Sequence, residues 1–176
     1  MANADQLASS YTVRHFESRT AQNGHPYLRL ILENAYENIT ANCWSGTYIG
    51  PESYSVGEIV HVSGRRKTLD YRELVDIYQA ELIDPRGKDA LISIARSSIP
   101  CPDDLIQLIG IAGGIESTPL REFIYETFAN RDFALAFITL PASSQHHHNH
   151  PGGLLRHSLE CVETVQRCVR RKDHRD

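Results

Sequence analysis

The hydrophobic period changes once along this chain, and that change limits the folds open to it. From Tyr11 to about Asp84, apolar and polar residues alternate with the two-residue period of half-buried strands. Tyr27-Leu28-Arg29-Leu30-Ile31-Leu32 puts Leu28, Leu30 and Leu32 on one face and Tyr27 and Arg29 on the other. Ile39 to Trp44 alternates in the same way and gathers Thr40, Asn42 and Trp44 on a polar-aromatic face. Gly57–Val62 and Glu73–Tyr78 read as two further strands. Asn23-Gly24, Gly64 and Pro85-Arg86-Gly87 supply turn signals between or after them.

Beyond Pro85 the period becomes helical. Asp103-Asp104 opens a run through Leu105, Ile106, Leu108 and Ile109 that Gly113-Gly114 closes. Ser117-Thr118-Pro119 starts a second helix, with Leu120, Phe123, Ile124 and Phe128 at helical spacing. A third follows Pro151-Gly152-Gly153 and carries Leu155, Leu159, Val162 and Val169 on one stripe. About five short strands ahead of a helical region predict an α+β chain whose first part is a Greek-key barrel of OB type. The expected division is a barrel over 1–84, a linker over 85–102 and a helical region over 103–176.

Composition removes several alternatives. Hydrophobic residues make up 41% and charged residues 23% of the 176, the balance of a globular protein rather than a disordered chain. No apolar run approaches the length of a membrane helix, so no membrane partner is expected. The opening MANADQLASS has neither a basic nor an apolar signal region, and the cytoplasm is the expected location. Four cysteines without a CxxC pair read as reduced thiols. A net charge of −4 excludes a global electrostatic footprint for nucleic acid, although five basic residues cluster after Val165.

Local features still point to a nucleic-acid surface. An OB barrel binds single strands by stacking bases on exposed rings and tracking phosphates with cations. Tyr27, Arg29 and Trp44 face outward, and Arg65-Arg66-Lys67 in the turn after Gly64, with Tyr71 close behind, forms the one basic cluster of the first part. These seven residues are the candidate contacts to single-stranded RNA or DNA. The competing reading makes Trp44 a core residue and the basic triplet a solvated hairpin turn.

Five of the nine histidines lie between Gln145 and His157. Imidazoles bind divalent metal or, when protonated, donate to phosphate oxygens. A solvated polar loop is the plainer reading for His146 to His148. His157 differs, because it sits on a helix beside Leu154 and Leu155.

The segment His147-His148-Asn149-His150-Pro151-Gly152-Gly153-Leu154-Leu155-Arg156-His157-Ser158-Leu159 resembles the opening of an HD domain. It is closest to the subgroup that includes YhaM-type 3′-5′ exoribonucleases and the HD regions of TraI/MobH-type conjugative relaxases. Asn23 to Leu28, Ile39 to Trp44 and Gly57 to Gly64 are similar to the OB domain of YhaM-type proteins. The resemblance implies a metal-dependent phosphohydrolase in which manganese, iron or magnesium is held by a first histidine, a His-Asp doublet and a later aspartate. His157 matches the first metal histidine. His147 and His148 match the paired histidines ahead of the glycines, with a catalytic role toward phosphate.

Asn149, His150 and Arg156 stand where the family usually has Ala, Tyr and Glu. No His-Asp doublet follows His157, since His174 precedes Arg175. The expectation is therefore a C-terminally truncated HD region without a complete active site, joined to a nucleic-acid-binding barrel. The runner-up is a non-enzymatic single-strand-binding module related to the relaxases, and a third reading keeps a nucleotide-directed HD fragment with a protein-binding barrel. A cut helical bundle is further expected to expose Leu155, Leu159 and Val162 and to favour self-association.

Overall fold

The computed structural model describes residues 5–69 and 71–173, with side chains as far as Val169. The basic run from Arg170 to Arg175 therefore lies outside the described side chains. The chain divides into two compact units, Met1–Arg96 and Ser97–Asp176.

The first unit is built from β1 (Gln6–Thr20), β2 (Pro26–Glu33), β3 (Asn38–Trp44), β4 (Ile59–Leu69) and β5 (Arg72–Leu82). They close in the order β1-β2-β3-β5-β4. All neighbours are antiparallel except β3 and β5, which pair in parallel with Asn42 opposite Asp76. This is the five-stranded OB barrel, and closure leaves no edge strand to recruit another chain.

The alternation of β2 explains its place. Leu30 and Leu32 are fully buried and meet Tyr11, Val13, Ala41, Val60 and Ile77 in the barrel core. The alternate residues Tyr27 and Arg29 stay half-buried on the outer face. The first strand hides its period because it buries polar groups as well. Thr12 Oγ1 donates to the Ser93 carbonyl at 2.6 Å, and Asn34 Nδ2 donates to the Ser10 carbonyl at 3.3 Å.

Arg65, Arg66 and Lys67 lie within β4, not in a turn after Gly64 as the glycine suggested. Gly64 marks a bulge in the β4–β5 pairing. A side chain there would stand 2.7 Å from the Asp76 carbonyl, so the glycine serves close strand approach. Residues 85–96 fold back onto the barrel, unlike a linker. They include α1 (Lys88–Ile92), bury Leu91 and Ile94, and accept a hydrogen bond from Ala35 N at the Ile92 carbonyl, 2.9 Å away.

The second unit holds α2 (Pro102–Gly113), α3 (Thr118–Ala129), α4 (Arg131–Thr139) and α5 (Gly153–Asp173). Pro102 and Pro119 occupy first-turn positions, where a missing N–H costs nothing. Asn130 ends α3 and caps α4, its Oδ1 accepting from Phe133 N at 3.1 Å. Leu105, Ile109, Phe128, Ile138, Leu155 and Leu159 form the core of this unit. The burial of Leu155 and Leu159, at 1% and 3% exposure, removes them from the self-association patch expected from sequence. Among the described residues, no helix is long and apolar enough to cross a membrane.

Candidate nucleic-acid interface and histidine loop

Tyr27 and Trp44 are direct partners across β2 and β3. Their ring centroids are 4.7 Å apart with the planes inclined by 31°. Arg29 and Asn42 are the next outward pair along the same two strands. A groove of about 490 Å³ runs over this face, lined by Tyr27, Arg29, Asn42, Trp44, Lys67 and Arg72 among others.

Trp44 is half-buried on the barrel wall rather than part of the core. Its Nε1 donates to Asp76 Oδ1 at 3.0 Å. Lys67 Nζ donates to Asp76 Oδ2 at 2.5 Å and lies over the indole, 5.7 Å from the ring centroid. Cation and ring attract each other here through the quadrupole of the indole.

The basic triplet divides by strand alternation and the bulge. Lys67 reaches the aromatic pair. Arg66 instead donates twice to Glu37, at 2.6 and 2.8 Å, and Tyr11 donates to the same carboxylate at 2.6 Å. Burial pushes the Glu37 carboxyl up, yet the hydrogen bonds from Arg66 and Tyr11 outweigh it and hold the group below its usual range. Arg65 pairs at 3.6 Å with Asp5 in an exposed contact. Arg65, Arg66 and Lys67 all border a second groove of about 710 Å³ between β3 and the β4–β5 hairpin. Tyr71 is fully exposed beside the tip of that hairpin, with φ of 63°.

Asp76 and Arg72 belong to this face and were not singled out from sequence. The Asp76 contact depends on the parallel register of β3 and β5, which leaves no local signal. Arg72 had a signal, being the cation next to Tyr71.

In the helical unit, residues 141–152 form a loop held by its own polar groups. Ala142 N donates to the His148 carbonyl at 3.1 Å, and Asn149 Nδ2 donates to the Ser144 carbonyl at 2.8 Å. His148 adopts φ of 60°, and a side chain on Gly153 would collide with its carbonyl oxygen at 1.9 Å. The double glycine therefore lets α5 start against the loop.

His148 Nε2 lies 3.2 Å from Glu160 Oε2, and its ring is 5.2 Å from that of His157. His157 Nε2 is 3.8 Å from Cys161 Sγ. His147 is exposed, with its carbonyl accepting from Ser143 Oγ at 3.2 Å. Among the described residues, no three His, Cys, Asp or Glu side chains are grouped to hold a metal ion. His157 is the one described residue that the HD resemblance carries over as a metal ligand, and the described residues do not by themselves supply a metal centre. Arg156, the departure from the family's Glu, pairs at 2.7 Å with the buried Asp104.

Residues 91–172 match the TraI_2 family, described as "Putative helicase". A 3′-5′ exoribonuclease YhaM of Halalkalibacterium halodurans is 23% identical over 166 residues, covering 94% of this chain and 51% of the relative. A second, from Oceanobacillus iheyensis, is 23% identical over 143 residues, covering 81% of this chain and 45% of the relative. This chain resembles the YhaM-type exoribonucleases.

It spans about half the length of the YhaM-type relatives it matches. Among solved structures, PriB from Ralstonia solanacearum aligns with 46% of this chain and 98% of its own, at 15% identity and a TM-score of 0.38. The SSB domain of a Synechococcus protein aligns with 46% of this chain and 98% of its own, at 11% identity and a TM-score of 0.39.

Proposed function

We propose that the barrel binds single-stranded nucleic acid across the Tyr27–Trp44 pair, as part of a nucleic-acid-processing protein of YhaM type. The observation that carries this reading is the cross-strand aromatic pair at 4.7 Å, set in one groove with Arg29, Lys67 and Arg72. Rings on a barrel wall give every base a stacking surface, worth about 1–3 kcal/mol per base, while the cations follow the phosphates. With a net charge of −4, binding is moderate, tolerant of sequence and sensitive to salt. RNA and DNA both offer these groups, and the names of the relatives favour RNA.

The helical unit is read as HD-type, with His157 toward a divalent ion and His147 and His148 toward phosphate. In such a centre manganese, iron or magnesium would polarise a phosphodiester and supply hydroxide. The activity proposed for the whole protein is 3′-5′ hydrolysis, with the barrel presenting the strand. A second reading for the described residues alone, a binding module without hydrolysis, is supported by the surroundings of His157, whose neighbours His148 and Cys161 do not group with it as a set of metal ligands.

Titration of labelled oligo(rU) and oligo(dT), followed by anisotropy and by emission from Trp44, the only tryptophan, tests the binding reading. Tyr27→Ala and Trp44→Ala are expected to weaken binding by about 1–3 kcal/mol each. Unchanged affinity in both variants overturns it. Release of mononucleotides from labelled RNA with added Mn²⁺ separates the hydrolytic reading from the binding module.

A further inference from the structure

We infer that Asp76 holds the stacking face of the barrel in a self-occupied state, from which Lys67 must be released before a strand binds. This rests on the nucleic-acid reading of the groove and adds its regulation.

The geometry makes one carboxylate serve both groups that a strand needs. Asp76 Oδ1 takes the indole N–H of Trp44 at 3.0 Å, and Asp76 Oδ2 takes the Lys67 ammonium at 2.5 Å. The ion pair is half-buried, with side-chain exposures of 35% for Lys67 and 36% for Asp76, and so is less screened than a free surface pair. The indole meanwhile has Tyr27 packed at 4.7 Å and the ammonium over its ring at 5.7 Å. A base that arrives at Trp44 meets an occupied ring. A phosphate that arrives at Lys67 meets a cation already neutralised.

Binding is then an exchange. A phosphate oxygen takes Lys67 from Asp76, the ammonium leaves the indole, and a base takes its place on the ring. Asp76 keeps the indole N–H and so holds Trp44 in position. After the exchange its second oxygen has lost a cation and faces a polyanion, which opposes binding. The carboxylate therefore positions the ring and sets a threshold against weak anionic ligands. The ion pairs of Arg65 and Arg66, with Asp5 and Glu37, do not involve the indole, which leaves Lys67 as the exchanging group of the triplet.

The test compares wild type, Asp76→Asn, Lys67→Met and the double variant in binding to labelled oligo(rU) and oligo(dT) over a salt series. Asparagine keeps an oxygen for the indole N–H and removes the charge that holds Lys67. Asp76→Asn is expected to bind severalfold tighter at every salt concentration with the slope of wild type, since Lys67 reaches the same phosphate in both and only its release from Asp76 is no longer required. Lys67→Met is expected to lower the slope, and in its background Asp76→Asn should leave the slope unchanged.

Wild-type affinity in an Asp76→Asn protein that melts like wild type overturns the inference. If Asp76→Asn does not fold, Lys67→Met decides, since an unchanged slope there means Lys67 never transfers to phosphate. Failure of wild type and Asp76→Asn alike to bind either oligonucleotide overturns the nucleic-acid reading itself. Binding by wild type with no response to Asp76→Asn removes only the lock.

Discussion

Arg66 reaches Glu37 through two hydrogen bonds, at 2.6 and 2.8 Å, and so ties β4 to the loop ahead of β3. The Tyr11 hydroxyl, on a fully buried side chain, completes the cluster from β1. An arginine committed in this way supports the barrel and has little left to offer a phosphate.

Arg66→Ala is therefore expected to lower stability by about 1.5–3 kcal/mol, the range for hydrogen bonds to charged groups. Thermal or urea melts read the loss. The salt slope of oligonucleotide binding should remain at the wild-type value, in contrast to Lys67→Met.

Two carboxylates give the pH dependence opposite signs. Glu37 is held below its ordinary 4.5, so its contribution is complete above that value and is lost as pH falls through its folded pKa. Burial raises Asp104 above its ordinary 3.8, outweighing Arg156, and one of its oxygens lacks a hydrogen-bond partner. Its contribution is complete below 3.8 and is lost as pH rises through the folded value. Glu37→Gln should flatten the acid limb of stability against pH. Asp104→Asn should remove the opposing gain on acidification, as read by urea melts at stepped pH.

Gly153→Ala drives a methyl group into the His148 carbonyl, from which an added Cβ would stand only 1.9 Å away. The expected cost is about 2–3 kcal/mol, at the upper end for overpacking. Differential scanning calorimetry measures the loss, and the imidazole resonances of His148 and His157 should shift with the displaced loop.

Tyr71 holds a left-handed backbone, with φ of 63°, while fully exposed. Tyr71→Gly should raise barrel stability by about 0.5–1 kcal/mol through relief of that conformation. As a proposed contact to the strand, the ring is also expected to contribute about 1 kcal/mol to binding, which the variant should lose. A gain in melting temperature together with lost oligonucleotide affinity is the outcome sought.

How far these features can be read in sequence depends on whether their cause is local. The alternations of Tyr27 to Leu32 and of Ile39 to Trp44 placed two rings and a cation outside, and the structure sets Tyr27 against Trp44. Tyr11 and Val13 of β1 face the core while Ser10 and Thr12, on the opposite face, are buried as well, with side-chain partners at His61 and Ser93, so its period was faint. Asn130 starts α4 directly after α3, and no break marked the extra helix. Gly64 looked like a turn because glycine alone does not tell a left-handed turn backbone from the close strand approach it serves at this bulge. The link from Asp76 to Trp44 arises from the register of strands distant in the chain, and the His148–Glu160 contact from a fold-back across two glycines. Neither has a signature in adjacent residues.

The double duty of β1 bears on how the barrel is made. Its first half pairs with β4 and its second half with β2. During synthesis β2 emerges soon after β1, but the partner for residues 6–12 must wait for residues 59–65 to leave the ribosome. At ordinary elongation rates that interval is on the order of several seconds, far longer than the time a hairpin takes to form. Throughout it, residues 6–12 of β1 form an open edge, in addition to the one on the newest strand. The strand that seals the finished cylinder is thus the one most in need of a chaperone's cover, or of fast translation, while the chain is still growing.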